Sequence, residues 1–255
     1  MSLGHALRRA PIRVLSIVLL LSLTSCASRS TQIAELPQEQ QFAALQKAYD
    51  DGEYRSVIES MQRVRFNFHT SDERGRADFL LAMSYYHQEE WPSARSYFQR
   101  VINAMPSSAT AAQASYMVGI CWWEESSGPD LDQTETVKAL DQFKSVLDAY
   151  PQSAYVDSTR LMIAAARAKL AEKQFYIARL YWRMDDYRPC TVYANEVITD
   201  YSDTPWLGPA QLLKGRAFLE LGEIDSARAA FTAASTSTDA DVASEAHHRL
   251  AKLGS

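Results

Sequence analysis

One pattern constrains this chain more than any other: a small residue, a larger one four positions on, and a small one three further. It reads Val57/Met61/Val64, Ala94/Phe98/Val101, Ala139/Phe143/Val146, Cys190/Ala194/Val197 and Ala227/Phe231/Ala234, the fourth keeping the spacing with Ala194 in the larger slot. Positions i, i+4 and i+7 share one face of an α-helix, so each triplet predicts a helix that a neighbour approaches closely at its narrow positions. Nine Gly and nine Pro in 255 residues are few, which favours long helices over a loop-rich sandwich. With 47% hydrophobic and 22% charged residues, the chain buries a sizeable core and is not a disordered tail. Turn chemistry falls between the triplets. Pro106-Ser107-Ser108, Pro151-Gln152-Ser153 and Ser202-Asp203-Thr204 each follow a helix, and Gly52 and Gly222 mark tight turns.

The first members of successive triplets are 37, 45, 51 and 37 residues apart. Together with Leu81-Ala82-x-x-Tyr85 … Trp91-x-x-Ala94, this resembles a tetratricopeptide repeat of about 34 residues, stretched by insertions. The expected fold is an all-α tetratricopeptide-repeat solenoid of five helical hairpins, each burying its neighbour's face. Two irregularities stand out. The third hairpin carries about eight extra residues in Glu125 to Glu135, an exposed loop. Ala154 to Met184 contains no Gly or Pro and predicts either one long helix of about 46 Å or two helices broken near Leu170. The expected organisation is N-terminal repeats 1–3 over 39–153, a connecting helix over 154–170 between repeats 3 and 4, and C-terminal repeats 4–5 over 171–255.

The N-terminus belongs to targeting. Arg8, Arg9 and Arg13 precede an apolar run from Val14 to Leu23, which as a helix covers about 15 Å, half a bilayer. Residues 1–25 therefore read as a signal peptide. Leu23-Thr24-Ser25-Cys26 resembles the bacterial lipobox, which implies lipidation of Cys26; a plain signal peptide with a chance Cys is the competing reading. Two or more acyl chains would give a stable membrane anchor. Ala27 in place of Asp implies, by the same resemblance, the outer membrane with the protein facing the periplasm. Residues 26–38 then form a lipidated, flexible tether. Cys121 and Cys190 occupy small-residue slots and read as buried free thiols, although an oxidising compartment permits a disulfide. Net charge is −5, and past the signal segment 23 basic groups face 31 acidic ones. No basic patch and no nucleic-acid partner are expected.

Lipobox and repeats together resemble the BamD family, tetratricopeptide lipoproteins of the outer-membrane β-barrel assembly machine. The matching residues are Asp132-Gln133-Thr134, Tyr150-Pro151-Gln152-Ser153-Ala154-Tyr155, Leu170 through Tyr181, Asp185-Asp186-Tyr187 and Asp200-Tyr201-Ser202-Asp203-Thr204. The resemblance implies a non-enzymatic scaffold that helps fold and insert barrel proteins. Its implied partners are the POTRA-bearing barrel subunit BamA, other assembly-machine lipoproteins and the C-terminal segments of unfolded barrel proteins. A generic periplasmic tetratricopeptide lipoprotein serving cell division, peptidoglycan or export is the alternative. Val192-Tyr193 stands where the family often has Asn-Arg, so no polar role carries over there.

Repeat positions that line a concave face place Phe42, Tyr49, Arg76, Phe79, Met83 and Tyr86 in one N-terminal groove. An aromatic groove beside one guanidinium suits a peptide ending in an aromatic residue and a carboxylate, with Arg76 as the clamp. Packing of these aromatics against neighbouring helices is the competing reading. In the C-terminal repeats, Arg179, Trp182, Arg183 and Arg216 have the composition of a protein interface, and the family resemblance implies docking of BamA there. The adjacent Trp122-Trp123 pair reads as core. No HExxH, CxxC, GxSxG, P-loop or GxGxxG is present, so neither catalysis nor a metal or other cofactor is expected.

Overall fold

The computed structural model describes residues 30–254, and no strand occurs among them. Cys26 and the signal segment lie outside the described residues. The chain divides between Ala114 and Ser115 into two compact units.

In the first unit, α1 (Gln38–Asp50) pairs with α2 (Tyr54–Val64), which runs into a 3-10 turn, Arg65–Asn67; α3 (Ser71–His87) pairs with α4 (Trp91–Ala104). Val57, Met61, Val64, Ala94, Phe98 and Val101 are all buried, as the triplets require. α3 opens on a capping box, in which Thr70 Oγ1 accepts from Glu73 N at 3.1 Å and Glu73 Oε2 accepts from Thr70 N at 3.0 Å. Those hydrogen bonds hold the Glu73 carboxyl below its ordinary range. The two hairpin turns need a left-handed residue; the first uses Gly52 (φ +79°) and the second Glu89 (φ 59°).

Residues 30–38 differ from the loose tether the sequence predicts. Residues 30–35 form a helical turn, and Ile33 enters the core cluster that contains Leu45, Val64 and Phe68. An apolar side chain five residues before α1 gains more from burial than the tether loses in freedom. Gln41, itself buried, fixes the segment by donating to the Leu36 carbonyl at 3.0 Å.

α5 (Ala109–Glu125) crosses the division, and its later residues belong to the second unit with α6 (Thr134–Ala149), α7 (Val156–Arg183), α8 (Tyr187–Asp200), α9 (Leu207–Glu220), α10 (Ile224–Ala234) and α11 (Ala240–Gly254). The nine remaining triplet positions are buried here. Gly119 and Gly215 let Phe143 and Phe231 approach so closely that an added Cβ would overlap their rings. Cys121 and Cys190 are both buried thiols.

α7 is one helix of 28 residues, about 42 Å long. It does not break at Leu170, which is buried with Ala171 in mid-helix. Ala166 and Leu170 pack with Leu140 of α6, while Ala171, Phe175 and Ala178 pack with Cys190 and Ala194 of α8. The segment the sequence assigns to a connector, 154–170, is therefore the first half of a helix that also serves as the first arm of the next hairpin. Its turn into α8 uses Asp185 at φ 57°. Arg167 binds across the hairpin, its Nε to Asp203 Oδ2 at 2.7 Å and its Nη2 to the Asp200 carbonyl at 2.7 Å.

The loop 126–133 is folded back on α7. Lys169 Nζ donates to Ser126 Oγ at 2.8 Å and Lys173 Nζ to the Asp130 carbonyl at 2.7 Å. α11 is an element the sequence reading missed. It starts on Asp239, whose Oδ1 accepts from Asp241 N and Val242 N, and buries Val242 and Ala246 beside Ala234.

Candidate functional site

The first unit carries a groove of about 390 Å³ between α1 and α3, closed at one end by the first residues of α5. Phe42, Gln46 and Tyr49 come from α1, spaced so that they share one face. Arg76, Phe79, Leu80 and Met83 face them from α3, and Thr110 and Gln113 complete the wall. Five of the six groove residues expected from sequence are thus brought together.

Tyr86 is the exception. Its ring lies edge-on to Trp91, with centroids 5.2 Å apart, at the start of α4. The reason is angular. Tyr49 at the end of α1 meets His87, with Tyr49 Oη 3.0 Å from His87 Nε2, so the preceding residue on α3 points about 100° away. His87 also stacks on Tyr54 at 4.4 Å. Burial, then the neighbouring Tyr54 and Asp50, push the Tyr49 phenol above its ordinary pKa.

Arg76 stands at the mouth of the groove. Its Cζ lies 5.4 Å from the Phe42 ring centroid, and its Nε pairs with Asp72 Oδ2 at 3.0 Å. Both side chains of that pair are more than half exposed (54% and 68%), so it contributes only about 0.3–0.5 kcal/mol. A ligand carboxylate can take the place of Asp72 at little cost. On its other side, Arg76 with Phe42, Phe68 and Glu73 lines a second hollow of about 360 Å³. Leu80, Thr110, Gln113 and Phe68 escaped the sequence reading. Phe68 lies in the turn between hairpins, a position outside the repeat pattern.

In the second unit the four residues expected to act together separate into two settings. Arg216 Cζ lies 4.5 Å over the Trp182 ring, and Trp182 touches Tyr187 at 5.2 Å. Arg216 Nε is buried with no hydrogen-bond partner among the described residues. Burial pushes the nearby Cys190 thiol up to about 11, against the opposing charge of Arg216. Arg179 and Arg183, one turn apart on α7, are exposed beside the exposed apolar residues Tyr176, Leu180 and Met184. Trp122 and Trp123, expected in the core, are half-buried beneath Lys138 and Lys169, whose Nζ atoms lie 4.5 and 4.8 Å from their rings. Among the described residues no group of three or more His, Cys, Asp or Glu could hold a metal ion, and no helix is long and apolar enough to cross a membrane.

Paired helices with small–large–small seams, turned by left-handed residues, define an all-α protein of the tetratricopeptide-repeat class. A tetratricopeptide protein from Parabacteroides merdae aligns over 95% of this chain and 97% of its own at TM-score 0.40 and 13% identity. The sequence profile of the YfiO outer membrane lipoproteins matches residues 34–233, and the chain belongs to that family. It is 22% identical to the outer membrane protein assembly factor BamD of Caulobacter vibrioides, over 86% of this chain and 73% of that one. The BamD of Vibrio cholerae is 23% identical, covering 84% and 93%; that of Neisseria meningitidis serogroup A is 22% identical, covering 82% and 85%.

Proposed function

We propose that this protein is an outer-membrane lipoprotein of the β-barrel assembly machinery, a scaffold that grips polypeptides and performs no chemistry. Membership of the outer membrane lipoprotein family and the assembly-factor names of its relatives support that role over a scaffold for division, peptidoglycan or export. In this reading the first unit receives the C-terminal segment of an unfolded barrel protein. The single observation that carries it is Arg76 at the mouth of an aromatic groove, over the Phe42 ring and paired with an exposed, easily displaced Asp72. A terminal carboxylate replaces Asp72, forming a forked pair with the guanidinium, while its aromatic side chain lies against Phe42 and Phe79. Cys26 carries the lipid that holds the scaffold at the inner leaflet.

The second unit docks the POTRA-bearing subunit, with Trp182 and its stacked Arg216 as the buried anchor and Arg179 and Arg183 at the rim. Interface energy concentrates in such aromatic–Arg pairs, and rim charges act mainly on encounter rate.

The groove is tested by titrating a labelled C-terminal barrel peptide against the protein and its Arg76→Glu variant, with the C-terminally amidated peptide alongside. Loss of one bidentate charge-assisted pair, about 1.5–3 kcal/mol, weakens binding by roughly ten- to a hundredfold, and amidation has the same effect on the native protein. Equal affinity for the free-acid and amidated peptides removes the clamp. A pull-down that recovers Tol–Pal or cell-wall proteins and no POTRA-bearing barrel protein removes the assembly role.

A further inference from the structure

Phe66 is 74% exposed, the most exposed large apolar side chain among the described residues. It sits in the 3-10 turn after α2, and the Arg65 guanidinium lies 5.2 Å over its ring. Net negative charge conceals what surrounds it. Arg65, Arg74 and Arg100 gather about one buried carboxylate, Asp78, with which Arg100 pairs at 3.1 Å. Arg74 is held by donating from Nη1 to the His69 carbonyl at 2.8 Å. Arg63 lies one turn from Phe66 and donates to Thr31 Oγ1 at 3.4 Å. The sequence predicts no basic patch, because these arginines are scattered among acids along the chain. Folding collects them; of the acids nearest in sequence, Asp72 pairs with Arg76, and Glu73 is the one carboxylate at the edge of this corner, turned onto the amides of Thr70 and His69.

The same corner is fastened to the segment that leads to the proposed anchor. Besides the Arg63–Thr31 bond, Gln38 Nε2 donates to the Asn67 carbonyl, Asn67 Nδ2 donates to Gln41 Oε1 at 2.9 Å, and Ile33 is buried with Phe68. From Cys26 to Ser30 the chain reaches at most about 14 Å. Acyl chains in a bilayer therefore hold this corner close to the headgroups.

We propose that the corner Arg63–Phe68 is a membrane-surface contact, with Phe66 sunk among the headgroups of an anionic phospholipid leaflet and Arg63, Arg65 and Arg74 meeting its phosphates. A single aromatic ring at headgroup depth and a few cations within a Debye length of the surface are the elements of such a contact. The overall charge of the chain repels an anionic leaflet, whereas this corner gathers Arg63, Arg65, Arg74 and Arg100. The contact fixes which way the peptide groove faces once the protein is anchored. The proposal rests on lipidation of Cys26.

The test uses the lipidated full-length protein in vesicles of phosphatidylethanolamine and phosphatidylglycerol. Phe66→Cys is labelled with an environment-sensitive fluorophore, and Leu161→Cys, at a site 73% exposed in the second unit, serves as control. Cys121 and Cys190 are both 0% exposed, so the label goes to the introduced thiol. Intact mass reports the acyl chains independently. With lipid attached, emission at position 66 rises severalfold and is quenched by nitroxide-bearing lipids, while position 161 stays water-like. Arg65→Glu with Arg74→Glu abolishes the rise, as does replacing the vesicles with neutral phosphatidylcholine. A label at 66 as water-exposed as that at 161, on acylated protein, overturns the contact and leaves the anchor standing. A rise seen only when a partner protein is added overturns it in favour of a protein surface. A mass without acyl chains overturns the anchor, and the contact falls with it.

Discussion

Gly215 makes the sharpest test of the packing that builds these hairpins. A methyl group at this position would lie 2.6, 2.7 and 3.0 Å from three atoms of the Phe231 ring. Phe231 is fully buried, so the ring cannot swing into solvent. Overpacking of a closed core costs about 1–3 kcal/mol, and a contact this short belongs to the upper part of that range. Against it stands the gain in helix propensity from Gly to Ala, about 1 kcal/mol. Sterics win, and Gly215→Ala loses about 1–2 kcal/mol. In urea, followed by circular dichroism at the helix band, the midpoint falls by roughly 0.5–1 M for an m-value of about 2 kcal/mol/M. The cause is separable by a double-mutant cycle. Phe231→Leu makes room, so the double variant is more stable than the sum of the two losses predicts, by about 1 kcal/mol or more. Gly222→Ala provides the contrast, because nothing lies within 4 Å of its Cβ position and its cost comes from φ +75° alone. That loss, about 1–2 kcal/mol, adds independently to Phe231→Leu. A neutral or stabilising Gly215→Ala, or strict additivity in its cycle, refutes the reasoning.

Glu89→Gly relieves a left-handed residue worth about 1–2 kcal/mol and gives back about 0.4–1 kcal/mol of chain entropy, so thermal stability rises by a fraction of a kcal/mol to about 1. Thr70→Ala deletes one half of the α3 capping box and costs about 1 kcal/mol, read as a lower urea midpoint of the first unit. The hydrogen bonds from Arg167 hold the Asp203 carboxyl below its ordinary value, so the pair stabilises above that value and fades as pH falls through the lowered one. Because Asp203 is 56% exposed, the discounted worth is about 0.5–1 kcal/mol. The stability gap between the protein and Arg167→Leu should therefore be present at pH 7 and narrow below about pH 4; a gap that widens on acidification would contradict the pairing. Lys173→Ala releases the carbonyl of Asp130, and limited proteolysis within 126–133 speeds up if that bond holds the loop to α7.

The helical seams were legible in the sequence because their signal is local and steric. All fifteen triplet positions, from Val57 to Ala234, lie in the core, since a helix face that must admit a neighbour tolerates only certain volumes. Gly52 and Gly222 were readable as turns for a similar reason: no other residue takes a positive φ without cost. Glu89 and Asp185, which do the same work at that cost, gave no signal. Periodicity left open whether α7 was one helix or two, because a Gly- and Pro-free run is compatible with both. The decision belongs to tertiary packing, which buries Leu170 toward α6 and Ala171 toward α8 within a single turn. α11 was missed because its apolar residues fall outside the repeat spacing, although Asp239 before Val242 and Ala246 is a readable start signal.

Site residues divide along the same line. Phe42, Tyr49, Phe79 and Met83 could be placed because a repeat position fixes an angle around a helix, and the groove follows from the angles. Tyr86 failed where the angle is set by contact between helix ends: Tyr49 claims His87, and a one-residue step turns Tyr86 toward Trp91. Charge was the least legible property. A sum over the chain describes its far field, whereas a surface a few ångströms away responds to charges within a Debye length of about 8–10 Å. Asp78 shows why the two differ. It is one carboxylate against Arg65, Arg74 and Arg100, and it is buried, so it neutralises one arginine and exposes almost no negative surface of its own. An acidic protein can thus present a cationic corner without any run of basic residues. The condition is that helix ends from three elements converge, as α2, α3 and α4 do here around Asp78.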